Sequence, residues 1–380
     1  MPVSIPAGYR AAHPRAPSLA AAARSCDDAP VSNPSLPSTA SRPGPPRILS
    51  GDDPAAIELA AARIVAGEPV AFPTETVYGL GANAIDPVAV ARVFDVKERP
   101  SFDPLIVHVA DPDGIAAHAL PEDATDPRVG ALVERFWPGP LTLVVRKQEH
   151  IPGIVTAGLE TVGLRMPDHP VALALLRAAG VPIAAPSANR FGRVSPTRAQ
   201  HVARQLGDRV GLILDGGPCR VGVESTVVLL AAGRAVLLRP GGLPAEAIEE
   251  VVGPLGRPGD AEMRALSPGR TGSHYAPQTP VVLVPASEPM RPRDGERLGL
   301  LASSDAGRLL AERAGGPFAA VETLSPSGDP VEAAARLFDA LHALDDAGVD
   351  RIVAQPIRET GLGHAVMDRL RRAAQRDLPR

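Results

Sequence analysis

The sequence predicts two α/β domains: a first with a mixed sheet, and a smaller, doubly wound one after it. Three observations carry this expectation. Short apolar runs alternate with helical patterns over residues 47–253, and strand-like runs follow one another directly near 210–239, which a uniform βαβ series does not give. Beyond a Gly-, Pro- and Arg-rich stretch at 254–279, four more apolar runs are separated by helical patterns. A length of 380 residues suits two ordinary domains better than one.

Residues 1–46 are dominated by Pro, Ala and Ser, carry Arg10, Arg15 and Arg24, and have no acid before Asp27. Such a stretch lacks the apolar periodicity that offsets ordering entropy, so a disordered tail, or a start codon called too early, is expected. A transit peptide is the alternative, but Pro2, Pro6, Pro14 and Pro17 would interrupt its amphipathic helix. Order should begin near Arg47. Asp53 followed by Pro54 caps a helix that carries Ile57, Ala61, Ile64 and Val65 and closes at Gly67. Strands are expected at Val70–Phe72, Leu105–Val109, Leu141–Val145, Val162–Met166, Val181–Ala185, Val210–Leu214, Thr226–Leu230 and Val236–Leu238. Helices fit at 87–95, 127–136, 169–179, 197–206 and 244–252, and the domain ends near Gly253. Residues 254–279 read as a linker. In the second domain, 280–380, strands at Val281–Val284, Leu298–Ala302, Phe318–Thr323 and Arg351–Ala354 alternate with helices at 305–314, 330–346 and 364–375. Val331, Ala334, Leu337, Phe338, Leu341 and Leu344 give the middle helix one apolar face.

Composition excludes several function classes. The net charge of −4 argues against a protein whose main task is gripping nucleic-acid backbone. No apolar run reaches about 18 residues, so no membrane-spanning helix is expected. Cys26 and Cys219 alone cannot build a disulfide framework or a C-x-x-C site, and a reducing, cytoplasmic location is the simplest reading. Only Lys97 and Lys147 are lysine and neither sits in a Walker A loop, so any nucleotide is held another way. Neither H-E-x-x-H nor G-x-S-x-G occurs, and the nine histidines lack metal-ligand spacing. What remains is positioning and charge stabilisation by arginine, lysine and hydroxyls, which suits phosphate or carboxylate chemistry.

Polar groups gather at the expected strand ends. In Pro73-Thr-Glu-Thr-Val-Tyr-Gly-Leu-Gly-Ala-Asn-Ala84, Gly79 and Gly81 fit a tight turn, while the hydroxyls and the carboxylate beside them fit a ligand-facing loop. Lys97 and Arg99 either meet a helix dipole or neutralise phosphate. Trp137-Pro-Gly-Pro140 reads as a packed corner. An inward Arg165 needs a carboxylate, from the protein or from a ligand. Ser187 and Asn189 either cap a turn or point together into a site. Glu224-Ser-Thr226 and Arg239-Pro-Gly-Gly242 repeat the theme, and such ends converge on a crevice in open α/β sheets.

These residues resemble the YrdC-like threonylcarbamoyl-AMP synthase family. The resemblance rests on Pro73–Ala84, Lys97-x-Arg-Pro100, Pro104-Leu-Ile-Val-His108, Trp137-Pro-Gly-Pro-Leu-Thr142 and Arg165-Met-Pro167. It continues in Ala185-Pro-Ser-Ala-Asn189, Asp215-Gly-Gly217, Val223-Glu-Ser-Thr226 and Leu238-Arg-Pro-Gly241. Ser267-Pro-Gly269, His274-Tyr-Ala-Pro277 and the second domain look like the family's long form. It implies a twisted mixed sheet around a concave, positively lined cavity, with a Rossmann-like second domain. It also implies that L-threonine, bicarbonate and ATP become threonylcarbamoyl-AMP and pyrophosphate, for threonylcarbamoyl-adenosine in tRNA.

By the same resemblance Lys97, Arg99, Ser187 and Asn189 form the tetrad needed for activity. L-Threonine is held by Thr76, His108, Arg165, the Ala185 backbone and Ser225. ATP meets Arg99, Asp103, Thr161, Ser187, Ser195, Arg239 and Tyr275. Mg2+ comes with the ATP and no metal is bound by the protein. The product goes to a downstream threonylcarbamoyl transferase complex; a direct tRNA contact is left open, and no membrane is involved. Two positions depart from the family pattern. Asp103 stands where Asn is common, and a carboxylate there repels phosphate unless it faces ribose, base or magnesium. The linker lacks the aromatic and extra basic residues seen between glycine and histidine in some members, and Arg270 is the candidate replacement charge. An RNA-binding module is disfavoured by net charge, and a hydrogenase-maturation type of carbamoyl transfer by the missing cysteines.

Overall fold

The computed structural model describes residues 44–100, 103–231, 233–259, 275–288, 291–315 and 317–375. Residues 1–43 of the tail expected over 1–46, and the linker motif from Ser267 to His274, with Arg270, lie outside the described residues.

Ten strands form one mixed sheet: β1 (Arg47–Ser50), β2 (Val70–Phe72), β3 (Gly79–Asn83), β4 (Ile106–His108), β5 (Leu141–Arg146), β6 (Thr161–Arg165), β7 (Ile183–Ala184), β8 (Leu212–Asp215), β9 (Thr226–Ala231) and β10 (Arg234–Arg239). Their order is β1-β8-β2-β3-β7-β4-β6-β5-β9-β10. The β1/β8, β8/β2, β4/β6 and β5/β9 pairs are parallel and the rest antiparallel. The helices are α1 (Pro54–Val65), α2 (Pro87–Lys97), α3 (Gly114–His118), α4 (Pro121–Ala124), α5 (Pro127–Phe136), α6 (Pro170–Ala179), α7 (Ala199–Leu206) and α8 (Ala245–Val252). Aspartates start three of them: Asp53, Asp86 and Asp126 each accept from backbone N–H groups of the first turn, which opens on proline.

Strand alternation builds two cores. Val70, Phe72, Leu212 and Leu214 pack with α1 and α6, whereas Ala71 and Ile213 pack with α2 and α7 on the other side. The sheet is thus covered on both faces there, and its strand ends, rather than its faces, are left for chemistry.

Two expectations need correction. Gly79 and Gly81 are not a tight turn but the start of β3, antiparallel to β2 with Phe72 opposite Gly79 and Val70 opposite Gly81. A β-carbon at residue 81 would lie 2.7 Å from Cε1 of Phe72 and 2.6 Å from Cγ2 of Ile183, so glycine is what lets this ring lie across the strand. The second is an omission: no strand is expected at Arg47–Ser50, where order should begin, yet this segment pairs with Leu212–Asp215 as β1 and forms one sheet edge.

The second sheet holds β11 (Val281–Leu283), β12 (Leu298–Ala302), β13 (Ala320–Thr323) and β14 (Arg351–Ala354), all parallel, in the order β11-β14-β12-β13. Leu298, Leu300 and Ala302 pack with Ala311 of the Asp305–Ala314 helix. Leu301 faces the other way, with the Pro330–Asp346 and Gly363–Ala374 helices. Helices on both faces make this the doubly wound arrangement. Its core also takes in Val77, Val194, Val223 and Tyr275, so the two sheets share one apolar cluster.

Candidate active site

A pocket of about 580 Å³, counted out to its mouth, opens where the ends of β4, β6, β7 and β10 meet the loops after β2 and before β9. Its wall includes Thr74, Thr76, Arg99, His108, Arg165, Ala185, Ser187, Glu224, Ser225, Arg239 and Tyr275. Nine of the residues singled out from sequence therefore meet in one cavity.

Arg165 ends β6 and is almost fully buried. Its Nη2 donates to Glu75 Oε1 at 2.6 Å and to Thr76 Oγ1 at 2.9 Å, and its Nε to the Gly139 carbonyl at 3.3 Å. Glu75 is the carboxylate that an inward arginine demands, and the pair fixes the plane of the guanidinium. Thr74 Oγ1 lies 2.8 Å from Thr76 Oγ1 and donates to the Val77 carbonyl at 2.7 Å, which stiffens the loop carrying both. His108, one strand over, pairs in register with Arg165. Burial, then the Arg165 charge, pushes its pKa down to about 3, so the ring is neutral, and its buried Nδ1 has no hydrogen-bond partner.

Lys97 is the last residue of α2, and Glu98 follows in the left-handed region at φ 54°, which turns the chain back so that Arg99 can enter the pocket. Lys97 does not serve its own helix dipole. Its Nζ donates to the carbonyls of Ser187 and, at 2.6 Å, Asn189. Burial, then the neighbouring Arg99, holds this ammonium well below the ordinary lysine range. Arg99 is lowered by burial and pairs with Asp103 at 2.7 Å. Asp103, the departure from the family pattern, thus faces an arginine.

Ser187 lines the pocket, whereas Asn189 turns into the following loop, its Nδ2 donating to the carbonyls of Arg190 and Arg193 at 2.8 and 2.9 Å. The two do not point together, because the chain leaves extended geometry after Ser187. Ser225 Oγ lies 2.8 Å from Thr142 Oγ1, and Arg239 donates to Ser225 at its carbonyl (2.9 Å) and its Oγ (3.2 Å). Ser195 does not line the pocket; its Oγ donates to Glu224 at 2.5 Å. Thr161 lines a small adjoining cleft that shares Pro104, Leu105 and Ile106 with the main pocket. Trp137 is a packed corner, its Nε1 donating to the Leu141 carbonyl at 2.9 Å.

The electrostatic balance is uneven. Arg99 and Arg165 each have a carboxylate; among the described residues Lys97 and Arg239 have none within ion-pair distance. Two buried cations held only by neutral oxygens are costly unless an anion joins them. The arrangement can seat a carboxylate near Arg165 and polyphosphate along Arg99 and Arg239.

Sequence reasoning assigned no role to Glu75 or Glu224, although both lie in motifs it singled out. It missed Arg369 altogether. This fully buried residue of the Gly363–Ala374 helix pairs with Glu224 at 3.0 Å. The available signal was an arginine on the apolar stripe of Val366, Leu370 and Ala373.

Comparison with known proteins identifies what the chain is similar to. A family described as "Telomere recombination" matches residues 62–241, and "Threonylcarbamoyl-AMP synthase, C-terminal domain" matches 243–375. The threonylcarbamoyl-AMP synthase of Bacillus subtilis is 46% identical over 344 residues, covering 86% of this chain and 94% of that protein. The Pyrococcus abyssi protein of the same name is 46% identical over 325 residues, covering 84% and 94%. The crystal structure of P. abyssi Sua5 complexed with L-threonine superposes with a TM-score of 0.74 at 42% identity, covering 85% of this chain and 95% of that one.

Proposed function

The chain belongs to the threonylcarbamoyl-AMP synthase family, in the form that carries both domains, and on that premise we propose how its pocket joins L-threonine, bicarbonate and ATP into threonylcarbamoyl-AMP and pyrophosphate. It is an enzyme of the nucleotidyltransferase type. The observation that carries the site assignment is Arg239 on the pocket wall, with no carboxylate within ion-pair distance among the described residues, beside Arg99 and Arg165, which each have one.

Threonine's carboxylate docks on Arg165, with Thr76 and Ser225 close by and the Ala185 backbone beneath. His108, neutral at working pH, offers Nδ1 as an uncharged partner for the substrate's hydroxyl or amine. The amine adds to bicarbonate-derived carbon dioxide and forms a carbamate. A carbamate oxygen then attacks the α-phosphorus in line and pyrophosphate leaves, with no protein nucleophile. Arg99 and Arg239 offset the charge that builds on the phosphates, and the buried setting strengthens them while shielding the labile carbamate from water. Ser187 contacts the nucleotide. Lys97 completes the phosphate site, and Asn189 acts by fixing the carbonyl and loop that hold Lys97. Asp103 and Ser195 act through Arg99 and Glu224, and Tyr275 and Thr161 border the nucleotide.

Among the described residues no three or more of His, Cys, Asp and Glu gather as a metal site. Magnesium enters on the triphosphate, as part of the substrate. The adenylate passes to a tRNA-modifying transferase, in keeping with a cytoplasmic location. No helix among the described residues is long and apolar enough to cross a membrane.

The test is pyrophosphate release with ATP and magnesium. It should require both threonine and bicarbonate, and a rate unchanged when either is omitted would overturn the reading.

A further inference from the structure

We propose that Arg369, from the second domain, is a positioning residue for the nucleotide: by engaging Glu224 it leaves Arg239 free of a carboxylate and available to the phosphates. The inference rests on the assignment of Arg239 to ATP made above.

Glu224 lies on the pocket wall, immediately before the serine to which Arg239 donates. A buried carboxylate beside a buried arginine ordinarily captures it, and one facing a triphosphate repels it. Neither outcome would leave a phosphate site. Both Glu224 oxygens are instead occupied: Oε1 accepts from Ser195 and Oε2 from Arg369 Nε at 3.0 Å. Arg369 Nη1 donates to the carbonyl of Pro240, the residue after Arg239, at 2.7 Å and to Asp368 at 2.9 Å. One guanidinium therefore holds both the competing carboxylate and the backbone that carries the phosphate-binding arginine. Its carbon also lies 5.2 Å from the ring centre of Tyr275, another pocket residue.

Electrostatics agree. Burial first lowers the Arg239 pKa; Glu224 acts to raise it and Arg369 to lower it, so all three charges are within range of one another. Burial also opposes charge on Arg369, but Tyr275, Glu224 and Asp368 outweigh it and keep this residue cationic.

Steady-state kinetics on the full chain test this. Arg369→Gln should raise the KM for ATP by about tenfold or more, while the KM for threonine and kcat change by less than about threefold. Adding Glu224→Gln to that variant should bring the ATP KM back to within about threefold of the parent, since the competing charge is gone. A merely structural arginine would not give the selective pattern, a raised ATP KM with the threonine KM and kcat little moved. Arg369→Lys, which keeps the charge, should stay near the parent. An unmoved ATP KM in Arg369→Gln, or a double variant as impaired as the single, overturns the proposal. Should Arg369→Gln not fold, the double variant and Arg369→Lys decide in the same way. Arg239→Gln separates the two readings: if it leaves the ATP KM unmoved the assignment of Arg239 fails, whereas a large rise there with none in Arg369→Gln sinks the role of Arg369 alone.

Discussion

At the scale of single residues, the Arg165–Glu75 pair does two jobs that can be measured separately. Arg165→Ala removes the fork proposed for threonine's carboxylate, and charge-assisted hydrogen bonds of this kind contribute about 1.5–3 kcal/mol. The KM for threonine should therefore rise on the order of ten- to a hundredfold, with the ATP KM changed by less than about threefold. Equal rises would overturn the assignment. The same change strands Glu75, which is 1% exposed, so stability should also fall, and Arg165→Met with Glu75→Gln should recover part of it. His108 gives a pH prediction. Its folded pKa of about 3 lies below the ordinary value of 6.5, so as pH falls the unfolded chain takes up the proton first. Its contribution is intact above about pH 6.5 and is lost toward pH 3, with a slope of at most about 1.4 kcal/mol per pH unit. Urea unfolding of His108→Gln between pH 7 and 4 should show a shallower loss than the parent, and an identical slope would refute it. What the sequence made legible at this scale were the cations, because each sits in a short local motif. Their partners were less legible: Arg369 and Glu224 are 145 positions apart, and no local pattern encodes such a pairing.

At the scale of elements, nearly every helix and strand followed from period and punctuation, since proline after aspartate and apolar spacing are local signals. The exceptions are informative. β3 opens with Gly-Leu-Gly, whose glycines are poor strand formers by propensity, and the missing side chain at Gly81 is what gives the Phe72 ring its space. The short helices α3 and α4 carry too few residues for any periodicity to show. Gly241 illustrates the same tertiary constraint at the site. A β-carbon there would lie 2.3 Å from the Ser225 carbonyl carbon and 2.4 Å from both Glu224 O and Thr226 N. Gly241→Ala must push the turn after β10 off the start of β9, and with it Arg239 away from Ser225. Overpacking of this kind costs about 1–3 kcal/mol. Both a lower melting temperature and an ATP kcat/KM reduced by about tenfold or more are expected; a variant that melts and turns over like the parent would show that the turn has room.

At the scale of the whole molecule, the sequence separated two folding patterns but could not show that they share a core. Tyr275 stacks on Phe338 with ring centres 5.7 Å apart, and Val77, Val194 and Val223 join the same cluster. Ion pairs from Arg198 to Asp339 and from Arg204 to Asp346 border it. At Gly222 the two backbones approach closely. At φ 75° it occupies the left-handed region, and a β-carbon would lie 2.5 Å from the carbonyl oxygens of both Ala334 and Ala335. Gly222→Val would therefore wedge the Pro330–Asp346 helix away from the first sheet. The strain does not stay at the seam, because Val221 N donates to the Glu75 carbonyl at 2.7 Å and Glu224 lies two residues beyond Gly222. One side of that displacement reaches the Arg165 carboxylate and the other reaches the Arg369 pair. Unlike Arg165→Ala or Arg369→Gln, this variant should lower kcat/KM for threonine and for ATP together, by about tenfold or more, along with the melting temperature. If only one substrate suffers, the two halves of the pocket are anchored independently and the shared core is not what holds them in register.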